Sequence, residues 1–349
     1  MQRICLLFTG GTIAMTQTEG GLRPPDAPLN FREAMPELEK LYLYFDEQPQ
    51  LAGYDVLFNI DSSNMTPAHW QQIARAVYAR LPEYDGFVIT HGTDTMPYTA
   101  AALAFMLRGL NKPVVLTGSQ SPLTGSVVID ARNNLINAFR AAALGAERHL
   151  PEVVVMFGSQ LLRGVRAAKM SVFDFEAFAS FNAPPLGKVG LRFQLHERDF
   201  LPMPTQPPTL ADALDENVAL VKITPGMSPR VLDAVIDTGI HGLVIEAFGA
   251  GNLPNDGAGS LLPSVERAQA AGVVVVICTQ AQIGAADLYY LTGVDFIRAG
   301  AISAYDMTPS AALVKLMWLL GQHPANIEAV RRGFRTDYAG EVDIRLIGD

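Results

Sequence analysis

The sequence of 349 residues has few of the features that mark secreted, membrane or metal-binding proteins. Its only two cysteines, Cys5 and Cys278, lie inside apolar runs, so we expect buried thiols and no disulfide framework. No apolar run approaches the roughly 20 residues that a transmembrane helix needs. The first apolar stretch, residues 4–8, is short and ends in Thr-Gly-Gly, which predicts no signal peptide and a cytoplasmic location.

Basic clusters and grouped histidines are also missing. The formal net charge is −9, which argues against nucleic acid as a partner and against binding to an anionic membrane. The six histidines are scattered, and no cysteine or histidine has the spacing of a metal site. The glycine spacings of phosphate-binding and dinucleotide-binding loops are absent as well.

Hydrophobic residues make up 49% of the chain, which is enough to form sizeable cores. At a prior of about 150 residues per domain, two domains are expected. Short apolar runs predict strands at 4–8, 56–60, 87–90, 114–117 and 153–157, and they alternate with predicted helices at 67–81, 98–110 and 130–144. This alternation predicts an α/β fold, with a mostly parallel sheet and helices on both faces.

Six prolines interrupt this alternation between residues 178 and 209. Because prolines stop helices and stiffen connections, we predict a larger N-terminal α/β domain at 1–183 and a proline-rich linker at 184–212. A smaller α/β C-terminal domain is predicted at 213–349. Its expected strands are 218–223, 243–247 and 273–278, with helices that begin near Pro229 and Pro309.

The first candidate site follows strand 4–8 in the segment TGGTIAMT, residues 9–16. Two adjacent glycines allow a sharp bend and a close approach of the backbone to a ligand. Thr12 then places a hydroxyl at the carboxyl end of a strand, where open α/β sheets bind their ligands. A threonine hydroxyl attacks only when a base takes its proton. The alternative is that Thr12 only hydrogen-bonds its own turn.

A second turn of this kind, HGTDT at 91–95, follows strand 87–90. Asp94 could bind an ammonium group, or hold a lysine that deprotonates Thr93. The alternative is that Thr93 or Asp94 caps the next helix. We interpret His91 as a residue that satisfies the backbone of the turn rather than as a base.

Two other segments supply polar side chains. Asp61, Ser62 and Ser63 follow strand 56–60 and could grip a carboxylate, or could be ordinary loop polarity ahead of the next helix. Lys169 is either a solvated charge or, when desolvated, a general base.

Together these segments resemble the bacterial-type L-asparaginase family, most closely its cytoplasmic type I branch. The resemblance rests on residues 9–14, 61–66, 86–96, 117–122, 174–180, 248–252 and 305–308. It extends over nearly the whole chain, and the two threonine motifs in this order are highly specific.

The resemblance implies hydrolysis of the side-chain amide of L-asparagine to L-aspartate and ammonia, with no cofactor. Thr12 would attack the amide carbon and form an acyl-enzyme, which water then cleaves. Thr93, Asp94 and Lys169 would handle protons.

The same resemblance implies how the substrate is held. Asp94 would pair with its α-ammonium group, Ser62 would hold its α-carboxylate, and Asp61 and Ser63 would line the same pocket with Thr93. Asn252 of a neighbouring subunit would complete the site in a homodimer or homotetramer.

One position departs from the family. Close relatives carry a tyrosine after the first motif that helps to activate the threonine, and the matching position here is Leu22. Either another group assists Thr12, or its activation is weak, or this loop aligns differently. Gly20 and Gly21 still predict a mobile lid.

Two other functions remain open. An asparaginase-like subunit of a tRNA-dependent amidotransferase would carry an additional N-terminal domain, whereas here the first predicted strand begins at Ile4. A non-enzymatic amino-acid-binding protein is favoured only by Leu22.

Overall fold

The computed structural model describes residues 1–287, 290–324 and 326–346, with Ile344 described by its backbone alone. The chain divides into two compact units, Met1–Asp212 and Ala213–Asp349. Each unit has its own sheet and its own cluster of buried apolar residues.

The strands of the first unit differ widely in length. They are β1 (Gln2–Gly10), β2 (Thr16–Thr18), β3 (Gly21–Arg23), β4 (Pro49–Ile60), β5 (Gly86–Thr90), β6 (Leu107–Arg108), β7 (Val114–Thr117), β8 (Val153–Phe157), β9 (Gln160–Arg163), β10 (Ala167–Lys169), β11 (Phe178–Ser180), β12 (Gly187–Val189), β13 (Phe193–Leu195) and β14 (Thr209–Leu210). Of these strands, β5, β7 and β8 are the richest in β-branched and aromatic residues. Its helices are α1 (Phe31–Ala34), α2 (Pro67–Arg80), α3 (Met96–Met106) and α4 (Asp130–Glu147).

The main sheet of the first unit has the strand order β13-β12-β9-β8-β7-β5-β1-β4. The strands β4, β1, β5, β7 and β8 pair in parallel, and β9, β12 and β13 extend the sheet with antiparallel pairing. The mostly parallel α/β architecture predicted from the alternation is therefore confirmed, and strands 114–117 and 153–157 have the predicted bounds.

Both faces of this sheet are covered. Leu6 and Val88 belong to the apolar cluster that contains Leu135 of α4. The alternate residues Leu7 and Ile89 point to the opposite face and are also fully buried. Strands buried on both faces read as continuous apolar runs, which is why they are recognisable in the sequence.

The second predicted helix differs most from its expected range. The sequence predicts it at 98–110, but α3 begins two residues earlier and ends at Met106. The residues that follow form β6, which pairs with β14, and Gly109 then turns the chain with a φ of 64°. Pairing with a distant segment therefore ends this helix.

The segment 184–212 is not a separate linker. It belongs to the first unit, and it contributes β12 and β13 to the main sheet and β14 to a pair with β6. Its six prolines all lie outside these strands, where no ladder hydrogen bond from a backbone N–H is needed. The prolines of this segment therefore flank short strands of the first unit.

The second unit contains four parallel strands in the order β15-β16-β17-β18. They are β15 (Val218–Lys222), β16 (Gly242–Ala247), β17 (Val274–Thr279) and β18 (Ile302–Ser303). Its helices are α5 (Pro229–Asp237), α6 (Leu262–Ala270), α7 (Leu291–Arg298), α8 (Pro309–Gln322) and α9 (Ile327–Phe334). The predicted helix starts at Pro229 and Pro309 are confirmed, and the Ser228 and Thr308 side chains cap them.

Candidate active site

The first glycine turn meets the second where β1 and β5 end. Gly11 has a φ of 89°, and its backbone N–H donates to the Ile60 carbonyl at 3.1 Å. A Cβ atom at Gly11 would lie 2.5 Å from the backbone nitrogen of Gly92. Only glycine therefore fits this position, and the two turns that carry Thr12 and Thr93 are in backbone contact.

Thr12 begins a short 3-10 turn, Thr12–Ala14, directly after this bend. Its carbonyl accepts from the Met15 N–H at 3.0 Å, and the residue is half-buried. Among the described residues, the hydroxyl of Thr12 has no hydrogen-bond partner. The expected alternative, a hydroxyl bonded to its own turn, is therefore not what the structure shows.

Ser62 reaches the second turn from the end of β4, which β1 separates from β5 in the sheet. A Cβ atom at Gly92 would overlap the Ser62 hydroxyl, and the Thr95 hydroxyl donates to the Ser62 carbonyl at 2.8 Å. Ser62 is buried at the end of its strand. The ends of β1, β4 and β5 thus place Thr12, Ser62 and Thr93 on turns that touch one another.

Asp61 and Ser63 form a local capping arrangement. The Asp61 Oδ1 atom accepts from both the backbone N–H and the hydroxyl of Ser63, each at 2.8 Å. This is the N-cap of the 3-10 turn Ser62–Asn64, and it orients the segment that carries Ser62.

Lys169 reaches the second turn from the hairpin of β10 and β11. Its Nζ atom lies 2.7 Å from Thr93 Oγ1 and 2.6 Å from Asp94 Oδ1. The Lys169 side chain is 16% exposed and the Asp94 side chain is 62% exposed. The cation is thus held away from bulk water, whereas the carboxylate that it contacts remains open to a ligand.

His91 is fully buried at the root of the turn, and burial lowers its pKa to about 4. Its Nδ1 atom lies 2.7 Å from the Gly92 carbonyl, which only accepts, so Nδ1 carries the proton. Nε2 then accepts from the Thr99 hydroxyl at 2.8 Å. Neutral His91 is locked as a support for the turn, and Thr99, which the sequence analysis did not single out, completes this support.

Leu22 lies in a small hairpin formed by β2 and β3, where it pairs with Gln17. Its side chain is 42% exposed. The Thr18 hydroxyl donates to the Gly21 carbonyl at 2.7 Å and closes the hairpin end. The segment after the first motif thus forms a hairpin that presents the apolar side chain of Leu22 to solvent.

Asn252 lies in the second unit, in a tight turn in which Phe248 and Asn252 form an isolated bridge. Its Oδ1 atom accepts from the Thr292 hydroxyl at 2.9 Å. The structure therefore joins Thr93, Asp94 and Lys169 by direct contacts and sets Thr12 and Ser62 beside them, while Asn252 belongs to a separately described unit.

No cluster of three or more histidine, cysteine or carboxylate side chains within metal-binding reach occurs in the described parts of the chain. Burial raises the pKa of the Cys5 thiol to about 12, and that of Cys278 to about 12, so both remain protonated. Across the same described ranges, no helix combines the length and apolar character that crossing a membrane requires.

Comparison with known families decides how this arrangement is classified. Residues 3–200 match the family described as "Asparaginase, N-terminal", and residues 217–334 match "Glutaminase/Asparaginase C-terminal domain". The chain belongs to the asparaginase family. It is therefore an enzyme of the amidohydrolase class, and the resemblance read from the motifs is confirmed.

Individual relatives agree with this assignment over nearly the full chain. The chain is 37% identical over 341 residues to L-asparaginase 1 of Escherichia coli, and the match covers 97% of each protein. It is 38% identical over 355 residues to a subunit of the glutamyl-tRNA(Gln) amidotransferase of Pyrococcus abyssi, covering 98% of this chain and 77% of that protein. The crystal structure of L-asparaginase I from Vibrio cholerae matches with a TM-score of 0.84 at 35% identity, covering 98% of this chain and 99% of that one.

Proposed function

We propose that this enzyme hydrolyses the side-chain amide of L-asparagine to L-aspartate and ammonia through an acyl-enzyme on Thr12. The observation that carries the proposal is the contact of Lys169 Nζ with both Thr93 Oγ1 and Asp94 Oδ1. Thr93 and Asp94 of this trio lie on the turn against which the Thr12 turn is packed, and Lys169 reaches them from β10. Such an arrangement supplies a nucleophile, a proton carrier and an exposed carboxylate in one place.

Recognition of the amino acid requires groups of both charges. The exposed Asp94 carboxylate suits the α-ammonium group, and the buried Ser62 hydroxyl suits the α-carboxylate as a donor. Asp61 and Ser63 hold the Ser62 turn in shape through their two hydrogen bonds.

The chemical steps follow from these positions. Thr12 Oγ1 attacks the amide carbon as its proton leaves, the C–N bond breaks, and the nitrogen departs as ammonia with that proton. Water then attacks the ester carbon, which releases L-aspartate and returns the proton to Thr12. Thr93, bonded to Lys169, serves as the proton relay for the water step, and Asp94 holds the lysine in place.

The complete enzyme is proposed to be a cytoplasmic homodimer or homotetramer that uses no cofactor. In this assembly, Asn252 of a second copy lies near the substrate. The tight turn 248–252 and the hydrogen bond from the Thr292 hydroxyl orient the Asn252 amide for this role.

The decisive test measures ammonia release from L-asparagine and L-glutamine by wild type and by Thr12→Ala. Wild type should release ammonia from L-asparagine, and Thr12→Ala should lose this activity almost entirely. Thr238→Ala, which removes an exposed hydroxyl at the end of α5 in the second unit, is the matched control and should keep wild-type turnover. Equal turnover by wild type and Thr12→Ala would contradict the proposal.

The 38% identity to an amidotransferase subunit supports a second candidate, an amidohydrolase subunit that serves a glutamyl-tRNA(Gln) amidotransferase. The same assay separates the two candidates. Free L-asparagine turned over by the isolated chain supports the asparaginase, whereas turnover that appears only with charged tRNA and a partner protein supports the alternative.

A further inference from the structure

Asp130 is a buried carboxylate that the proposed chemistry does not use. It is the first residue of α4 and is 8% exposed. Its Oδ2 atom accepts from the backbone N–H of Gln120 at 2.7 Å and of Ser121 at 3.4 Å, while Oδ1 accepts from the Ser121 hydroxyl. The carboxylate thus fixes the turn after β7 to the start of a long helix, where its negative charge is also favourable.

The Gln120 side chain extends from this turn to a second loop. Its Nε2 atom donates to the Ser171 carbonyl at 3.4 Å and to the Asp174 carbonyl at 3.2 Å. Within that loop, the Ser171 hydroxyl accepts from the N–H groups of Phe173 and Asp174 at 3.0 and 2.9 Å. Gln120 therefore holds a loop that is already folded on itself.

This loop begins directly after Lys169. The strand β10 ends at Lys169, which pairs with Phe178 of β11, and the Met170 N–H donates to the Ala177 carbonyl at 2.7 Å. Residues 170–177 therefore form the tip of the hairpin that carries the lysine. We therefore expect a displacement of the tip to move the backbone of Lys169 relative to Thr93.

We propose that Asp130 and Gln120 are positioning residues for Lys169. Asp130 holds the 120–121 turn, Gln120 holds the hairpin tip, and the hairpin places Nζ between Thr93 and Asp94. This inference rests on the proposed amidohydrolase function, in which the lysine moves a proton. The two N–H groups of the Gln120 amide then set the position of Lys169. Proton transfer depends steeply on the position of the group that carries the proton.

The experiment compares Gln120→Leu with Gln72→Leu. Gln72 is an exposed glutamine of α2 whose Nε2 atom donates to the Leu57 carbonyl at 3.2 Å, so the control removes the same kind of bond away from the hairpin. For Gln120→Leu, kcat should fall about 10- to 100-fold while KM changes little, because a misplaced proton carrier slows the chemical step. Gln72→Leu should keep wild-type kcat.

A second readout does not depend on turnover. In protein labelled with ¹³C-lysine, the Cε–Hε signal of Lys169, assigned with Lys169→Arg, should shift in Gln120→Leu and stay in place in Gln72→Leu. Asp130→Asn, which retains an acceptor oxygen for the Gln120 N–H, should shift this signal less than Asp130→Ala.

The two readouts separate the two proposals. If wild type releases no ammonia, the proposed function fails, and the Lys169 signal alone decides the positioning role. If the Lys169 signal and kcat of Gln120→Leu both equal those of wild type, the positioning role is overturned. Circular dichroism of every variant verifies that the fold is retained.

Discussion

The Nζ atom of Lys169 lies 2.7 Å from the hydroxyl oxygen of Thr93, although 76 residues separate them in the chain. The same nitrogen contacts Asp94 at 2.6 Å. The lysine therefore bridges two consecutive residues of one turn, with its side chain largely buried and the carboxylate open. This bridge leads to the first prediction.

Replacing Lys169 by methionine keeps the length of the side chain and removes the proton carrier. We expect kcat for ammonia release from L-asparagine to fall about 10²- to 10⁴-fold, the usual contribution of a positioned acid or base. Lys169→Arg keeps the charge but cannot give up its proton near neutral pH, so it should be comparably slow. Lys188→Met, at an exposed site on β12, serves as the control. A Lys169→Met variant with wild-type kcat would refute the assigned role.

Gly11→Ala should destabilise the fold and abolish activity together. Gly11 has φ 89° and ψ 172°, a region that is essentially restricted to glycine and costs other residues about 1–3 kcal/mol. The added Cβ atom would also strike the Gly92 backbone at 2.5 Å. Urea denaturation should show a lower free energy of unfolding. Gly20→Ala, in open space and with an ordinary φ, should change it by less than about 0.5 kcal/mol.

Protonation of His91 should make the fold less stable in acid. The pKa of about 4 in the folded state is below the ordinary value of 6.5, so the unfolded state binds more protons between these values. The contribution of neutral His91 to the free energy of unfolding should therefore be fully present above pH 6.5 and be lost as the pH falls toward 4. One pKa unit corresponds to about 1.4 kcal/mol, so the total loss should be about 3 kcal/mol.

The measurement for His91 is urea unfolding of wild type and His91→Gln at several pH values. The variant should have a lower free energy of unfolding than wild type at pH 7. This difference should become smaller as the pH falls to 4.5, because only wild type has a histidine that takes up a proton at this site. A difference in free energy of unfolding that does not change with pH would show that His91 does not titrate with a lowered pKa.

In the second unit, the Lys315 ammonium group and the Glu341 carboxylate form an ion pair at 2.6 Å, and neither side chain is exposed to solvent. Lys315→Met should lower the free energy of unfolding by about 3–5 kcal/mol, because the buried Glu341 carboxylate keeps the N–H groups of Tyr338 and Ala339 but loses its counter-ion. Lys315→Met combined with Glu341→Gln, which removes the charge but keeps an acceptor for these N–H groups, should recover much of this loss. Lys222→Met, which breaks the pair of an exposed lysine with the partly buried Glu246, should cost no more than about 1 kcal/mol. Additive effects in the Lys315–Glu341 double variant would contradict the interpretation.

Local patterns predicted most of the parallel sheet and its helices, because buried strands and proline-initiated helices leave short-range signals. The antiparallel edge was missed. Residues 187–189 and 193–195 read as part of a proline-rich connection, but they become strands through pairing with one another and with β9. The end of α3 was missed for the same reason, since β14 competes for residues 107–108.

The candidate site also contains some residues that the sequence indicates and others that it does not. The two glycine turns and their threonines stand out in the sequence because such turns need glycine and follow apolar strands. Lys169 and Thr99, which contact the second of these turns, have no local signal of their own, and neither does Gln120, which contacts the loop after Lys169. Nothing in an isolated Gln-Ser-Pro segment indicates that its amide will hold a loop more than 50 residues away.

The amino-acid sequence by itself determined the fold class, the family and the identity of the candidate nucleophile, since these depend on composition, periodicity and short motifs. Only the tertiary structure decided the contacts between distant residues: those of Lys169 with Thr93 and Asp94, the burial that keeps His91 neutral, and the pairing of residues 187–189 and 193–195 in the main sheet. The physical reason is that hydrogen bonds, ion pairs and burial act over a few ångströms in space, and chain separation carries no information about those distances until the strands have paired.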